Sequence, residues 1–182
     1  MEKFIKSMEN QYLHSSLELV EDVFAQWDNP EEGKVVRQLV EEIRAKKYYI
    51  PELELIMADE NDTVIGYAMF SRFHIEGKYE DELLILTPVA VKTELQRQHI
   101  SRDLIEYGFI KARELGFTAI LVEGNPQNYN PRGFKTSADF GIVAGPNVRL
   151  PHVSCLMVKE LVDGALDHIS GIVDYSFYDA LR

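Results

Sequence analysis

The sequence predicts an α+β fold built on a mixed β-sheet. Three apolar, strand-like runs follow one another as a meander, and an amphipathic helix joins the third run to a fourth. Antiparallel strands need only a short turn, whereas a helical crossover makes the two strands it joins parallel. Because helices and strands do not alternate along the rest of the chain, a mixed sheet is favoured over a doubly wound parallel sheet.

The first part of the chain is predicted to form a short strand and two helices. The strand covers Lys3 to Ser7, and Asp28-Asn29-Pro30 has the composition of a helix start. The second helix is expected to end before Pro51. Apolar residues recur at helical spacing in both helices: Leu13, Leu17, Val20 and Phe24 in the first, and Val35, Val36, Leu39, Val40 and Ile43 in the second.

The middle of the chain carries the meander and the crossover helix. The runs LELIMA, TVIGYAMFSRFHI and DELLILTPVAV are predicted strands, and the polar DENDT between the first two is a turn. The helix begins at Ser101 and ends at Gly116, where a glycine cap is expected. Its stripe consists of Leu104, Ile105, Phe109, Ala112 and Leu115. FTAILVEG follows as the parallel partner of TPVAV. GIVAG and HVSCLMVKEL are predicted as further strands, and SGIVDYSFYDAL as an edge segment.

Composition favours one soluble, cytoplasmic domain of residues 1–182. The chain is 46% hydrophobic and 27% charged, which allows a substantial core. The lone Cys155 fits a reducing compartment. We find no apolar signal core and no run near the roughly 20 apolar residues of a membrane span. The net charge of -11 argues against nucleic acid as a partner and favours a cationic substrate such as an amine, although acidic soluble proteins are common.

Two segments resemble a known family. LTPVAVKTELQRQHISRDLIEYGFIKARELGF resembles the acetyl-CoA-binding core of the GNAT superfamily of N-acyltransferases, in which Q/R-x-x-G-x-G/A precedes a helix. Gln96 takes the first motif position, His99 the first glycine and Ser101 the second. GNPQNYNPRGFKTSADFGI is similar to G-D-P-x-Y-Y-x-R-F-G-F of the bacterial YhbS-like branch. It matches at Gly124, Pro126, Tyr129, Gly133 and Phe134, and departs at Asn125, Asn128, Pro131 and Arg132.

The resemblance implies a mostly antiparallel sheet with a central parallel pair and helices on both faces. It also implies an N-acetyltransferase that moves the acetyl group of acetyl-CoA to a primary amine of a small molecule or peptide, by direct attack in a ternary complex. The pantetheine arm of the co-substrate would then lie along Val89, Ala90 and Val91. The N–H of Val89 would polarise the thioester carbonyl, and Val91 would hold the arm.

The loop before the crossover helix is the predicted pyrophosphate site. Backbone N–H groups at a helix start converge on one point, where the helix dipole adds positive charge. Glycines let an anion approach closely, so the Cβ atoms of His99 and Ser101 are expected to crowd it. Arg97 and Arg102 either contact phosphate oxygens or are simply solvated. The predicted site residues are Gln96, Arg97, Gln98, His99, Ile100, Ser101 and Arg102.

Tyr129 and Glu123 are the candidate catalytic residues. Tyr129 takes the place of a family tyrosine that protonates the departing thiolate; the alternative is an aromatic ring that only packs. Glu123 ends its predicted strand and is a candidate base, with Glu82 and His74 on neighbouring strands as alternatives. The sequence contains no cluster with metal-site spacing, so we expect no metal.

The loop sequence also allows an alternative function. Loss of both loop glycines is also compatible with a degenerate acyl-CoA-binding sensor or interaction module without catalytic activity. A homodimer is a further expectation, because dimers are frequent among related folds and the tail strand offers an interface.

Overall fold

The computed structural model describes residues 1–181 and contains a seven-stranded main sheet with the order β1-β2-β3-β4-β5-β8-β6. Within that sheet β4 and β5 are the only parallel neighbours among the described residues, so the predicted mixed α+β fold is confirmed. The strands are Lys3–Ser7 (β1), Glu54–Asp59 (β2), Val64–Arg72 (β3), Leu83–Val91 (β4), Ala119–Glu123 (β5), Lys135–Thr136 (β6), Ile142–Ala144 (β7), Leu156–Glu160 (β8) and Gly171–Val173 (β9).

Helices α1 (Leu13–Trp27) and α2 (Pro30–Ala45) cover one face of the sheet. The start of α2 follows from local chemistry: the Asn29 side chain accepts a hydrogen bond from the backbone N–H of Glu32, and Pro30 occupies the first helical position. The two helices bury their apolar stripes against alternate residues of β2 and β3, among them Ile56 and Tyr67.

Helix α3 (Ile100–Glu114) packs on the opposite face, against the other alternate residues of the strands. Gly108 lets this helix approach β3 closely, because a Cβ there would lie 2.1 Å from Cε1 of Phe70. The helix ends where predicted: Gly116 follows it with a φ of +94°, a conformation that glycine adopts without strain. Helices on both faces are therefore confirmed, and α3 begins one residue before the predicted Ser101.

The parallel pair β4 and β5 separates part-way along β4. Only Leu83, Leu84 and Ile85 pair with β5, although β4 continues to Val91 and stays paired with β3. The β3–β4 register also shifts between Ala68 and Phe70, so the end of β4 bends away from a regular ladder. A gap consequently opens between β4 and β5 at their carboxyl ends, next to the loop that leads into α3.

The tail differs from the prediction. Gly171–Val173 does not extend the main sheet as an edge segment; it pairs in parallel with β7 to form a separate two-stranded sheet. The reason is packing, because Phe177 and Tyr178 bring the tail into the aromatic cluster around Tyr48. The strand predicted in HVSCLMVKEL begins only at Leu156, since residues 153–155 form a 3-10 turn. The short strand β6 was not predicted.

Candidate active site

The end of β4 presents backbone donors to the gap. The N–H of Lys92 donates to the carbonyl of Ile65 on β3. Because successive N–H groups of a strand point to opposite sides, the N–H groups of Val91 and Val89 point away from β3 and towards the gap. Ala90 and Val91 have buried side chains and Val89 a half-buried one, so their side chains belong to the core and their backbone forms the gap wall.

The loop between β4 and α3 supplies a second group of donors. Its residues Gln96, Arg97, Gln98 and His99 are exposed, and His99 does not cap the helix through its side chain. Within the described residues, no acceptor is found for the backbone N–H groups of residues 98–102. The start of α3 therefore offers unsatisfied donors together with the positive end of the helix dipole.

The loop has a left-handed backbone conformation at two residues, although neither of them is glycine. His99 has a φ of +64° and Arg97 a φ of +65°, both in the left-handed region that glycine adopts most easily. Both residues thus hold a backbone conformation that glycine would adopt without strain. The side chain of His99 is exposed. Whether its Cβ atom crowds a bound phosphate therefore depends on the side from which the phosphate approaches the loop.

The two arginines of the loop differ in their surroundings. The Arg102 guanidinium donates to Oδ1 of Asp103 from Nε at 3.1 Å and from Nη2 at 3.0 Å. Arg97 makes no ion pair with any residue from 1 to 181. Ile100 is buried in the core and Ser101 is half-buried. Arg97 is therefore the loop cation that is free to meet an anion, whereas Arg102 is partly neutralised.

Tyr129 lies beyond the end of β5, on the short helix α4 (Pro126–Tyr129). Its ring packs over Gly124, where a Cβ would lie 2.6 Å from the ring atom Cε2, and edge-on against Phe134 at 5.7 Å between centroids. Its hydroxyl makes no hydrogen bond in the described part of the chain. Burial raises the pKa of this phenol, and the Arg132 guanidinium partly opposes that rise. At neutral pH the group is a protonated donor.

Glu123 is the last residue of β5, at the carboxyl end of the gap wall. Its Oε1 accepts a 3.0 Å hydrogen bond from the Tyr175 hydroxyl. The side chain keeps access to solvent, but the surrounding atoms partly desolvate it. This burial raises the pKa of the carboxyl, and the hydrogen bond from Tyr175 opposes the rise. A carboxylate in this state is better suited to accept a proton than a fully solvated one.

The alternative bases lie elsewhere. Glu82 immediately precedes β4 and contacts Nε2 of His168 at 2.6 Å. It is seven residues before Val89, which corresponds to roughly 20 Å along a strand. His74 follows β3 near the same end of the sheet, and its ring centroid lies 4.3 Å from that of Phe177 with the two planes tilted by 33°. The fold separates both residues from the gap, so of these three candidate bases only Glu123 lies at its carboxyl end.

Residues 1–181 contain no group of three or more His, Cys, Asp or Glu side chains arranged to hold a metal ion. Cys155 is a free, half-buried thiol. Over the same residues, every helix is too short or too polar to cross a membrane.

Comparison with known proteins decides the family. The sequence profile of the acetyltransferase (GNAT) family matches residues 17–134. The chain belongs to the GNAT acetyltransferase family. The GNAT match includes the gap, the loop before α3 and Tyr129, and it ends at Phe134. Tyr175 lies beyond the matched residues.

Individual GNAT relatives agree with this assignment. The uncharacterized N-acetyltransferase YhbS of Escherichia coli K12 is 28% identical over 145 residues, which cover 79% of this chain and 83% of that protein. The fold is similar to a 1.55 Å crystal structure of E. coli YhbS in complex with CoA, with a TM-score of 0.82 and 25% identity over 95% of this chain and 89% of that one. A GNAT acetyltransferase from Brucella melitensis in complex with acetyl-CoA shares the fold, with a TM-score of 0.75 and 22% identity over 100% and 99% of the two chains.

One member of the site could not be found from the sequence. Tyr175 contacts Glu123 across 52 residues of chain, and no motif or spacing connects the two positions. Its only signal is an aromatic-rich tail, which is as typical of a packed edge as of a site.

Proposed function

We propose that this protein is an acetyl-CoA-dependent N-acetyltransferase that transfers acetyl to a primary amine of a small molecule or peptide by direct attack in a ternary complex. The observation that carries the proposal is the gap between β4 and β5, which lies beside a helix start whose N–H groups lack acceptors. Family membership and the CoA-bound E. coli relative of similar fold support it.

The co-substrate is proposed to bind along one continuous backbone surface. The pyrophosphate fits the start of α3, where converging N–H groups and the helix dipole stabilise an anion without basic side chains. Arg97 is free to add a charge-assisted contact, and Arg102 can do so only by sharing its charge with Asp103. The proposed binding residues are Val89, Ala90, Val91, Gln96, Arg97, Gln98, His99, Ile100, Ser101 and Arg102.

The proposed reaction forms a C–N bond and breaks a C–S bond. The acceptor must lose its ammonium proton to become nucleophilic, and Glu123 accepts that proton directly or through water. The free amine attacks the thioester carbonyl, whose developing charge is stabilised by the N–H of Val89. As the C–S bond breaks, Tyr129 donates its proton to the departing thiolate, which leaves as CoA thiol. The second proton, which the nitrogen loses as the amide forms, passes through water to the Tyr129 phenolate and restores the phenol. The raised pKa of Glu123 makes its carboxylate a stronger proton acceptor, and the raised pKa of Tyr129 keeps the phenol protonated at neutral pH.

The setting of the enzyme is part of the proposal. We infer a single cytoplasmic domain spanning residues 1–182. The net charge of -11 repels nucleic acid and favours approach of a cationic amine. We also propose homodimerisation through the tail strands, from the exposed residues Val143 and Ile172, which are neighbours on the paired strands β7 and β9.

Binding is tested by thermal unfolding with acetyl-CoA. A ligand that binds only the folded state raises Tm by mass action, so we expect an increase that grows with acetyl-CoA concentration. Arg97→Gln is expected to reduce this increase. Lys34→Gln, an exposed change on α2 that breaks only a surface pair with Glu31, is the matched control and should leave it unaltered. Unchanged Tm at millimolar acetyl-CoA would refute the proposal. Binding without thiol release would instead support a sensor or interaction module.

A further inference from the structure

Tyr175 reaches the candidate base from the segment that follows β9. Its hydroxyl donates to Oε1 of Glu123 at 3.0 Å, while Oε2 has no hydrogen-bond partner in the described part of the chain. Burial, and then the Glu123 carboxylate, raise the pKa of the Tyr175 phenol. The phenol therefore remains a donor over the whole range in which a carboxyl group titrates. One carboxylate oxygen is fixed and the other stays available to accept a proton.

The tail that carries Tyr175 is held firmly in place. Lys46 on α2 donates to the carbonyl of Phe177 at 2.6 Å, and the Glu42 carboxylate accepts from the backbone N–H groups of Asp179 at 2.8 Å and Ala180 at 2.9 Å. The Tyr175 ring also packs edge-on against Phe73 at 6.1 Å. A donor mounted on an anchored segment can fix the orientation of the group it contacts.

Tyr175 also lines a cavity of about 550 Å³ between the tail and the loop that follows β7. Asn147 and Arg149 line the loop side, and Asp174 and Ser176 line the tail side. This volume falls within the range of small-molecule sites. Tyr175 therefore both lines this cavity and donates its hydroxyl to Glu123.

We propose that Tyr175 is a positioning residue that orients Glu123 for removal of the acceptor's proton. The inference rests on the proposed function and deepens it, because it makes the tail, which lies outside the matched family residues, part of the site. Within residues 1–181, Tyr175 is the one group that hydrogen-bonds to the Glu123 carboxylate, and apart from burial it is the one cause of the shift in the pKa of this carboxyl.

The test compares Tyr175→Phe with wild type in the pH dependence of kcat. A hydrogen bond to the carboxylate favours its charged form, so its loss raises the pKa of Glu123. The base is active when deprotonated, and the acid limb of kcat should therefore move to higher pH. We also expect kcat to fall roughly tenfold near neutral pH, with little change in the KM for acetyl-CoA. An unchanged acid limb and kcat would overturn the inference.

A second measurement is independent of turnover. The side-chain carboxyl carbon of Glu123, assigned in NMR spectra with Glu123→Gln, should titrate at higher pH in Tyr175→Phe than in wild type. Tyr178→Phe is the matched control from the same tail, because the buried Tyr178 hydroxyl lies near Ser71 without a well-formed hydrogen bond. It should leave both the titration and kcat unchanged. An unaltered Glu123 titration in Tyr175→Phe would refute the inference.

The two proposals fail in different ways. If wild type releases no thiol with any amine, the proposed function is wrong, whatever the Glu123 titration shows. If wild type turns over and Tyr175→Phe matches it at every pH, only the positioning role is wrong.

Discussion

Arg44 on α2 and Glu54 at the start of β2 form an ion pair of 2.7 Å inside the protein, where the Glu54 side chain has no exposed surface. The same carboxylate accepts hydrogen bonds of 2.5 Å from the hydroxyls of Tyr49 and Tyr67. The Arg44 guanidinium also donates hydrogen bonds to the carbonyl of Leu13 and to the hydroxyl of Ser16. A buried charge is tolerated only when paired in this way, and the network joins α1, α2, β2 and β3.

Glu54→Gln should destabilise the protein substantially. It removes the negative charge and leaves Arg44 without its ionic partner, for which we expect a loss of about 3 kcal/mol in the free energy of unfolding. Urea denaturation measures this loss. The control is Lys34→Gln, which breaks the exposed pair with Glu31 and should cost less than about 1 kcal/mol. Equal losses in the free energy of unfolding would show that the buried ion pair stabilises the protein no more than the exposed one.

Because His99 has a left-handed backbone conformation, a β-branched residue should destabilise the protein more at position 99 than at the neighbouring position 98. His99→Val places a β-branched residue at a φ of +64° and should lower the free energy of unfolding by about 1–2 kcal/mol relative to His99→Gly. Gln98→Val, next to it in the same loop, is the control and should change stability by no more than about 0.5 kcal/mol. His99→Gly should bind acetyl-CoA at least as tightly as wild type in a calorimetric titration. Weaker binding by His99→Gly would mean that the imidazole itself contacts the co-substrate.

Tyr129→Phe separates turnover from binding. Removing the phenol's proton should lower kcat by about a hundredfold, while the ring and its packing on Gly124 and Phe134 keep the affinity for acetyl-CoA. Steady-state thiol release gives kcat, and calorimetry gives the affinity. Tyr107→Phe, an exposed tyrosine on α3, is the control. Unchanged turnover in Tyr129→Phe would leave that tyrosine with a packing role alone.

The contact between the Glu42 carboxylate and the backbone of the tail should weaken in acid, so we expect the tail to detach at low pH. Burial alone would raise the pKa of this carboxyl, but hydrogen bonds from Lys46 and from the N–H groups of Ala180 and Asp179 outweigh it, so the folded-state pKa lies below the ordinary 4.5. The stabilisation is therefore present above pH 4.5 and is lost as the pH falls through the lower, folded-state value. Hydrogen exchange at Ala180 should accelerate in that window before the core opens. Glu42→Gln should exchange faster at neutral pH, whereas Glu41→Gln should not; equal protection in the two variants would contradict the account.

The strands and helices were largely predictable because each has a local signal. The apolar stripe of α3, Gly116 behind it and the polar turn between β2 and β3 are readable over a few residues. The crossover through α3 then required β4 and β5 to be parallel. The pairing of β7 with β9 was not predictable, since both are three-residue strands distant in sequence and their partner is chosen by tertiary packing.

Some features of the candidate site were likewise predictable from local sequence, and others were not. The loop before α3 and Tyr129 were identified because they occupy motif positions, and Glu123 because it ends a strand at the expected edge. The left-handed φ of His99 and the contact between Tyr175 and Glu123 follow from the folded chain, and no periodicity reports them. Glu82 and His74 looked equivalent to Glu123 only while the direction and length of each strand were unknown.

Thiol release from acetyl-CoA tests the central claim most directly. The protein is mixed with acetyl-CoA and a panel of polyamines, amino acids, aminoglycosides and peptides with free N-termini, and CoA thiol is followed with a thiol reagent. Wild type should release thiol in proportion to an acetylated amine for at least one acceptor class, and Glu123→Gln should release it at least tenfold more slowly. Saturable binding of acetyl-CoA without thiol release for any amine in the panel would contradict the account.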